Sequence, residues 1–238
     1  MKRILLMVIR NLIFVPYWWI KLCWYAAHTD DYPEKKKYAF LKHVDDYAIK
    51  GGNIHIDVHG AENIPRENGF MFFPNHQGLF VVLAIIKACP VPFSVVAKKE
   101  VADIPFLKQV FACMKAFIID REDLKQSMQV IVNVIREVKA GRNYLIFPEG
   151  TRSKDGKMLP FKEGSMKMAT KTGCPIIPIA ISNSAQIWEA HFPKMKPAHV
   201  VVEYGAPIYP KELSREEQKF IGAYTQQKIQ EMLDSHQI

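Results

Sequence analysis

The sequence predicts an α/β fold in which a mixed central sheet is flanked by helices and preceded by a membrane-associated helical segment. Short apolar runs of strand length alternate with longer stretches of helical periodicity from residue 50 onward. The chain has 238 residues, 49% of them hydrophobic, which suits the core of one α/β domain. We therefore divide it into an N-terminal membrane-anchoring helical segment, residues 1–49, and an α/β domain, residues 50–238.

The stretch from Ile4 to Ala27 has the composition of a membrane element. On a helical projection its basic and polar side chains fall in one narrow stripe, which favours lying in the membrane interface over crossing the bilayer. Pro16 interrupts this pattern. A tilted single span, a signal peptide and a core helix remain alternatives, and Arg10 disfavours the signal peptide. The stripe comprises Arg3, Arg10, Tyr17, Lys21 and His28, with Trp18, Trp19, Trp24 and Tyr25 as aromatic anchors and Lys35, Lys36 and Lys37 as lipid-facing charges.

The net charge indicates the kind of partner that the chain binds, and the cysteine pattern indicates the cellular compartment. A formal charge of +8 and a pI near 9.2 indicate an anionic partner, which is a phospholipid surface, a phosphorylated substrate or a nucleic acid. A nucleic acid is disfavoured because the basic residues form no aromatic-interleaved surface. The four cysteines lack CxxC pairing and predict reduced core thiols. We expect the chain at the cytoplasmic face of the cell membrane, on an anionic bilayer.

The elements of the α/β domain follow from periodicity and from turn residues. Ile54, Ile56 and Val58 alternate with polar residues, as in a half-buried strand, whereas the later strands are continuous apolar runs. Gly141 and Gly173 are typical helix stops, and Ser214 is a typical helix start. Strands are predicted over residues 54–58, 70–74, 92–97, 116–119, 144–147, 174–181 and 199–204, and helices over residues 34–49, from Leu79, after Pro105, over 124–138 and 164–172, and from Ser214.

Polar side chains follow three of these strands where each one ends. His76 follows the strand at residues 70–74, Arg121 follows 116–119, and Glu149 and Arg152 follow 144–147. In open α/β sheets, ligands bind beyond the carboxyl ends of the strands. If these strands share one rim of the sheet, the side chains meet in one crevice. Each residue alone also fits an ordinary solvated turn.

The sequence disfavours several common nucleotide-binding, hydrolase and metal sites. The loop from Gly150 to Lys157 has the wrong glycine spacing for a P-loop, and Met158 stands where a magnesium-binding hydroxyl belongs. Neither a GxSxG elbow nor a GxGxxG turn is present in the sequence. His55 and His59 are interpreted as exposed strand and turn residues, because no third metal ligand stands at a suitable spacing.

With these residues in place, the chain resembles the lysophosphatidic acid acyltransferases of the glycerolipid acyltransferase family over about residues 50–210. Asn75-His76 matches the NHxxxxD block, and the segment 117–121 matches the second block, with Lys98 in a related lysine position. The segment from Phe147 to Arg152, reading FPEGTR, matches the third and most specific block. Cys174 to Ile181 matches the proline-bearing fourth block.

The resemblance implies acyl transfer from acyl-CoA or an acyl carrier protein thioester to lysophosphatidic acid, giving phosphatidic acid. Neither a metal nor a further cofactor is implied. By this resemblance, His76 would take the proton of the attacking hydroxyl. Glu149 would orient Arg152 or the glycerol. The substrate phosphate is assigned to Lys98, Arg121, Glu149, Gly150, Thr151 and Arg152.

The chain departs from the family at one position. The aspartate of the first block falls at position 81, where this sequence has Val81. Without a carboxylate to orient His76, turnover is expected to fall by about two to four orders of magnitude. Two interpretations stay open: a natural loss in a catalytically silent lipid-binding relative, and an inactivating change in an otherwise active protein. The intact remaining blocks favour the second.

Overall fold

A single seven-stranded sheet organises the fold. The computed structural model describes residues 12–153, 157–192 and 194–235. The strand order is β1-β7-β6-β2-β5-β3-β4, and every neighbouring pair is parallel except β6 and β7. The mixed sheet predicted from the sequence is therefore confirmed. The strands are β1 (Ile54–His59), β2 (Met71–Pro74), β3 (Ser94–Lys98), β4 (Phe117–Ile119), β5 (Tyr144–Leu145), β6 (Ile176–Ser182) and β7 (Ala198–Tyr204).

The predicted helices are also present, with small shifts at their ends. The C-terminal helix begins with a capping box between Ser214 and Glu217, as its sequence indicates, but divides at Phe220. The helices are α1 (Val15–Ala27), α2 (Glu34–Gly52), α3 (Phe80–Ala88), α4 (Lys99–Ala102), α5 (Leu107–Cys113), α6 (Leu124–Lys139), α7 (Glu163–Thr172), α8 (Arg215–Lys219) and α9 (Ile221–Ser235).

The carboxyl ends of four strands lie along one edge of the sheet. β2, β5, β3 and β4 are consecutive in the sheet and parallel, with Met71 opposite Tyr144 and Ala97 opposite Ile118. β6 runs parallel to β2 on its other side. The loops that follow these strands therefore emerge at the same edge, which confirms the expected common rim.

Two apolar layers cover the faces of the sheet. Successive residues of β2 point to opposite layers, so Phe72 packs with helices α1–α3 and Phe73 packs with α6, α7 and α9. Trp18, Leu22 and Tyr25 of α1 are buried in the first layer. The N-terminal helices thus share the core of the sheet. The boundary between residues 49 and 50 stays a prediction.

Helix α1 presents apolar side chains on its outer surface as well. Ile20 is 69% exposed, and Trp19 and Trp24 are also exposed. Pro16 lies in the first turn of α1, where proline is tolerated. No helix within the described residues is long and apolar enough to span a membrane. Of the predicted basic stripe, Lys21 donates a hydrogen bond to Tyr17 at 3.1 Å, whereas Arg3 and Arg10 lie outside the described residues.

All four cysteines lie within the described residues and are free thiols. Cys89, Cys113 and Cys174 are buried, as predicted for core thiols, whereas Cys23 is only partly buried. Burial raises the pKa of Cys89, Cys113 and Cys174 to about 11, so these three are protonated and unreactive at neutral pH.

Candidate functional site

The loop after β2 is fixed by Asn75. Its buried side-chain amide donates to the carbonyl of Ile181 at 3.0 Å and accepts from the N–H of the same residue at 2.8 Å. This pair of hydrogen bonds extends the β2–β6 ladder by a side chain, so the chain leaves β2 in a defined direction. The next residue, His76, is therefore presented at the rim of the sheet.

His76 joins the loop at residues 147–153 through three contacts. Its ring stacks on Phe147 with centroids 3.9 Å apart. Its backbone N–H donates to Oε1 of Glu149 at 2.6 Å, and its carbonyl accepts from the N–H of Ser153 at 3.0 Å. The two loops that the sequence pattern singled out are thus bonded to one another.

The surroundings of the His76 imidazole determine its strength as a base. Its Nδ1 atom is buried and has no hydrogen-bond partner among residues 12–153, 157–192 and 194–235. Burial lowers the pKa of His76 to about 4, and the charge of Arg152 contributes to this lowering. Val81, in the first turn of α3, is fully buried and offers no acceptor. His76 is therefore a neutral but weak base at neutral pH.

Glu149 fixes the backbone of both loops. Its Oε1 accepts from the N–H of His76, and its Oε2 accepts from the N–H of Leu159 at 2.7 Å. Only 2% of Glu149 is exposed, and burial raises the pKa of its carboxyl group while the two backbone donors lower it. Both carboxylate oxygens thus accept from backbone groups, and the expectation that Glu149 orients Arg152 or the glycerol stays a prediction.

Two cations converge on Gly150. The guanidinium of Arg121 donates to the carbonyl of Gly150. A Cβ atom at Gly150 would lie 3.1 Å from Nη1 of Arg121 and 3.1 Å from Nζ of Lys162. The backbone of Gly150 has φ +72°, a conformation that favours glycine. Glycine therefore allows this turn to form and lets both cations approach it.

Arg152 is paired with a carboxylate that the sequence pattern did not reveal. Its Nη1 lies 3.5 Å from Oε1 of Glu189, in the segment between β6 and β7. The same Oε1 accepts from the N–H of Leu79 at 2.8 Å, just before α3. A side chain at Gly78 would collide with this carboxylate. Glu189 thus links Arg152 to the loop that carries His76.

Lys98 and Thr151 lie at the margin of this group. Lys98 ends β3, and its Nζ is 3.7 Å from Oε1 of Glu100. The pKa of Glu100 is lowered by its own backbone N–H and by the charges of Lys98, Lys99 and Arg121. Lys98 and Arg121 therefore act on one carboxylate. Thr151 is exposed beside Gly150.

Comparison with known protein families identifies the family to which this chain belongs. The family model described as acyltransferase matches residues 55–182, more than half of the chain and the whole span from His76 to Arg152. The chain belongs to the acyltransferase family. The match ends before Glu189, which explains why inspection of the family blocks overlooks that residue.

Sequence similarity to individual acyltransferases supports this assignment. The chain is 36% identical over 131 residues to the 1-acyl-sn-glycerol-3-phosphate acyltransferase of Borreliella burgdorferi, covering 55% of this chain and 52% of that one. It is 30% identical over 167 residues to the protein of the same name from Salmonella typhimurium, covering 68% and 67%. The chain spans about half the length of several curated relatives it matches.

The fold also matches a solved acyltransferase structure. The crystal structure of the 1-acyl-sn-glycerophosphate (LPA) acyltransferase PlsC from Thermotoga maritima superposes with a TM-score of 0.72 at 24% identity. The match covers 96% of this chain and 98% of that one, so it includes the N-terminal helices as well as the sheet.

Sequence reasoning missed two members of the rim, Glu189 and Lys162. Both lie outside the strand-end pattern. Glu189 sits in a short 3-10 helix (Glu189–His191), and Lys162 immediately precedes α7. The backbone N–H of Lys162 donates to the carbonyl of Pro148 at 2.9 Å, which places it beside the third block. Only a signal linking residues distant in sequence could have identified them.

Proposed function

We propose that this acyltransferase moves an acyl group from a thioester donor to lysophosphatidic acid, giving phosphatidic acid. The observation that carries the proposal is the contact between the His76 loop and the Phe147–Ser153 loop. Arg121 and Lys162 converge on this second loop at Gly150, and the charge of its Arg152 acts on the imidazole of His76. The names of the relatives, which specify 1-acyl-sn-glycerol-3-phosphate as acceptor, support this substrate.

The chemistry follows from where the imidazole and the cations lie. Because Nδ1 of His76 is buried, Nε2 is the nitrogen that takes the proton of the glycerol hydroxyl. The oxygen attacks the thioester carbonyl, a carbon–oxygen bond forms, the carbon–sulfur bond breaks, and the proton passes to the departing thiol. Arg121, Arg152 and Lys162 hold the phosphate dianion by charge-assisted hydrogen bonds, with Lys98 and Thr151 at the margin and Gly150 shaping the turn.

Val81 impairs this reaction in the chain as it stands. The unpartnered Nδ1 and the pKa of about 4 are the expected consequences of placing a valine where the family's block has aspartate. A base with so low a pKa accepts a proton poorly in the transition state. The phosphate-binding groups come from other strands, so lysophosphatidic acid binding persists.

The acceptor and the donor reach the site from different phases. The exposed apolar side chains of α1 support an interfacial location on an anionic bilayer, at the cytoplasmic face of the cell membrane. Lysophosphatidic acid then keeps its tail in the membrane while its phosphate enters the rim. The donor is acyl-CoA or an acyl carrier protein, both of which are soluble on that side.

The direct test is acyl transfer to lysophosphatidic acid by the full chain and by a Val81→Asp variant, with both donor types. We expect a gain of about two to four orders of magnitude in turnover on restoring the carboxylate. The matched control is Val81→Asp combined with His76→Ala, which should abolish the gain. If the parent chain and the Val81→Asp variant bind lysophosphatidic acid equally and neither transfers acyl groups, the chain is a lipid-binding relative and the proposal is wrong.

A further inference from the structure

Three metal-ligating side chains meet at the edge of the sheet formed by β1 and β7. His55 and His199 are opposite one another in the parallel register, and Asp57 lies two residues further along β1 on the same face. The expectation that His55 is an ordinary exposed strand residue rested on the lack of a third ligand nearby in sequence. The fold supplies that ligand from β7.

The donor atoms are close enough to share one ion. Nε2 of His55 lies 3.0 Å from Oδ1 of Asp57, and Nε2 of His199 lies 2.6 Å from Oδ2 of the same residue. All three donor atoms lie within 4.8 Å of one another. Ligand atoms around a tetrahedral zinc ion are separated by about 3.3 Å, since each metal–ligand bond is about 2.0–2.1 Å long. Small side-chain rotations therefore suffice to reach a common centre.

The cluster is accessible from solvent. The side chains of His55, His199 and Asp57 are 73%, 50% and 41% exposed, so an ion can enter without opening the core. Water can complete the coordination of an ion held by three protein ligands. The three residues lie on two adjacent strands, and an ion held by all of them would therefore cross-link β1, at the end of the sheet, to β7.

We propose that His55, Asp57 and His199 form a binding site for a divalent transition-metal ion of the zinc, nickel and copper class. Two imidazole nitrogens and one carboxylate oxygen suit these ions, whereas calcium and magnesium prefer ligand sets made of oxygen. The ion stabilises the edge strand by linking it to its neighbour. The site takes no part in the acyl transfer proposed above, and this proposal does not depend on it.

Calorimetric titration of the metal-stripped full chain with zinc chloride, in detergent and without a histidine tag, tests this site. We expect one equivalent bound in the micromolar range and a rise of several degrees in the thermal midpoint with zinc present. His199→Gln and Asp57→Asn should each weaken binding at least tenfold. The matched control, His59→Gln, removes a neighbouring histidine of β1 and should leave the affinity unchanged. Magnesium chloride should give no heat of binding.

A second measurement separates a true loss of ligand from a folding defect. The electron paramagnetic resonance spectrum of bound Cu²⁺ should show two nitrogen ligands in the parent chain and one in His199→Gln, while the two proteins unfold at the same temperature in EDTA. The proposal is overturned if zinc binds His199→Gln as tightly as the parent or if His59→Gln loses the site. It is also overturned if the parent binds no zinc at a zinc concentration about 100 times the expected Kd.

Discussion

Arg152 and Glu189 form an ion pair, 3.5 Å from Nη1 to Oε1, that connects the third block to the segment between β6 and β7. The same carboxylate oxygen accepts from the N–H of Leu79, and its other oxygen is buried without a partner among the described residues. Glu189 therefore holds both the exposed side chain of Arg152, which we propose binds the substrate phosphate, and the start of α3, the helix that carries Val81.

Two substitutions of Glu189 distinguish its contact with Arg152 from its contact with Leu79. Glu189→Gln keeps an oxygen for Leu79 but removes the charge that positions Arg152, and in the Val81→Asp background it should raise KM for lysophosphatidic acid about 2- to 5-fold. Glu189→Ala also removes the acceptor of a backbone donor and should raise KM by about tenfold or more. Steady-state kinetics at saturating donor measure both effects.

Glu62→Gln is the matched control, because Glu62 is an exposed carboxylate after β1 and should leave KM unchanged. An unchanged KM in Glu189→Gln, with a raised KM in Glu189→Ala, would show that Glu189 anchors only the start of α3 and does not position Arg152.

The protonation of His76 gives a second prediction. In the chain as it stands, its pKa is about 4, chiefly because burial disfavours the imidazolium. An aspartate at position 81 would accept a hydrogen bond from the Nδ1–H group and stabilise the imidazolium, so the pKa of His76 should rise to about 6 or above. The first turn of α3 also favours a negative charge through the helix dipole. The acid limb of kcat/KM should therefore move upward by about two pH units.

Proton NMR of the histidine rings measures this pKa without relying on turnover. The His76 resonance, assigned by its loss in His76→Gln, should titrate near pH 4 in the parent and at about pH 6 or above in Val81→Asp. Val81→Asn is the control, because it offers an acceptor without a charge and should shift the pKa less. A His76 resonance that titrates at the same pH in the parent and in Val81→Asp contradicts our account of the defect.

The elements and the rim of the sheet were predictable, but the pairing of side chains across it was not. Apolar runs and glycine stops locate the strands and helices because burial acts on local patterns. The rim follows from the parallel order of β2, β5, β3 and β4. In contrast, the contacts of Glu149 with backbone donors, of Arg152 with Glu189, and of His199 with Asp57 join residues distant in sequence. Such pairs depend on loop paths or, for His199 and Asp57, on which strands become neighbours in the sheet, and no local pattern encodes either.

Asp45 in α2 gives a stability prediction with a defined pH dependence. It is 4% exposed, and neither carboxylate oxygen has a hydrogen-bond partner in the part of the chain that the structure describes. Burial, followed by the charge of Asp46, raises the pKa of Asp45 to about 8, against the effect of Lys87 and Lys42. Between about pH 4 and pH 8 the folded chain keeps a proton that the unfolded chain releases, so the free energy of unfolding falls as pH rises.

Asp45→Asn removes this dependence. The variant should match the parent near pH 4 and exceed its free energy of unfolding by about 2 to 5 kcal/mol at pH 8, measured by urea denaturation across that range. Asp46→Asn is the matched control. Asp46 is paired with Lys87 at 2.5 Å, so its loss should remove that ion pair and give no comparable gain at pH 8. A pH-independent difference between Asp45→Asn and the parent would contradict the assigned pKa.

The proposed membrane contact of α1 is better tested by point substitutions than by deletion of the helix. Deleting α1 would remove Trp18, Leu22 and Tyr25 from the core, so loss of liposome binding would also follow from unfolding. Exchanging only exposed residues avoids this. Ile20→Ser with Trp24→Ser should weaken binding to vesicles containing anionic phospholipid by about tenfold or more, because about 100 Å² or more of apolar surface leaves the interface at about 25 cal/mol per Å².

Phe220→Ser is the matched control for this experiment. Phe220 is 51% exposed between α8 and α9, away from α1, and its loss should leave vesicle binding unchanged. Co-sedimentation of the full chain with vesicles measures the partition, and thermal unfolding confirms that all variants are folded. If Ile20→Ser with Trp24→Ser partitions like the parent while remaining folded, the outer surface of α1 is not the membrane contact. If Phe220→Ser weakens binding equally, the contact is not confined to α1.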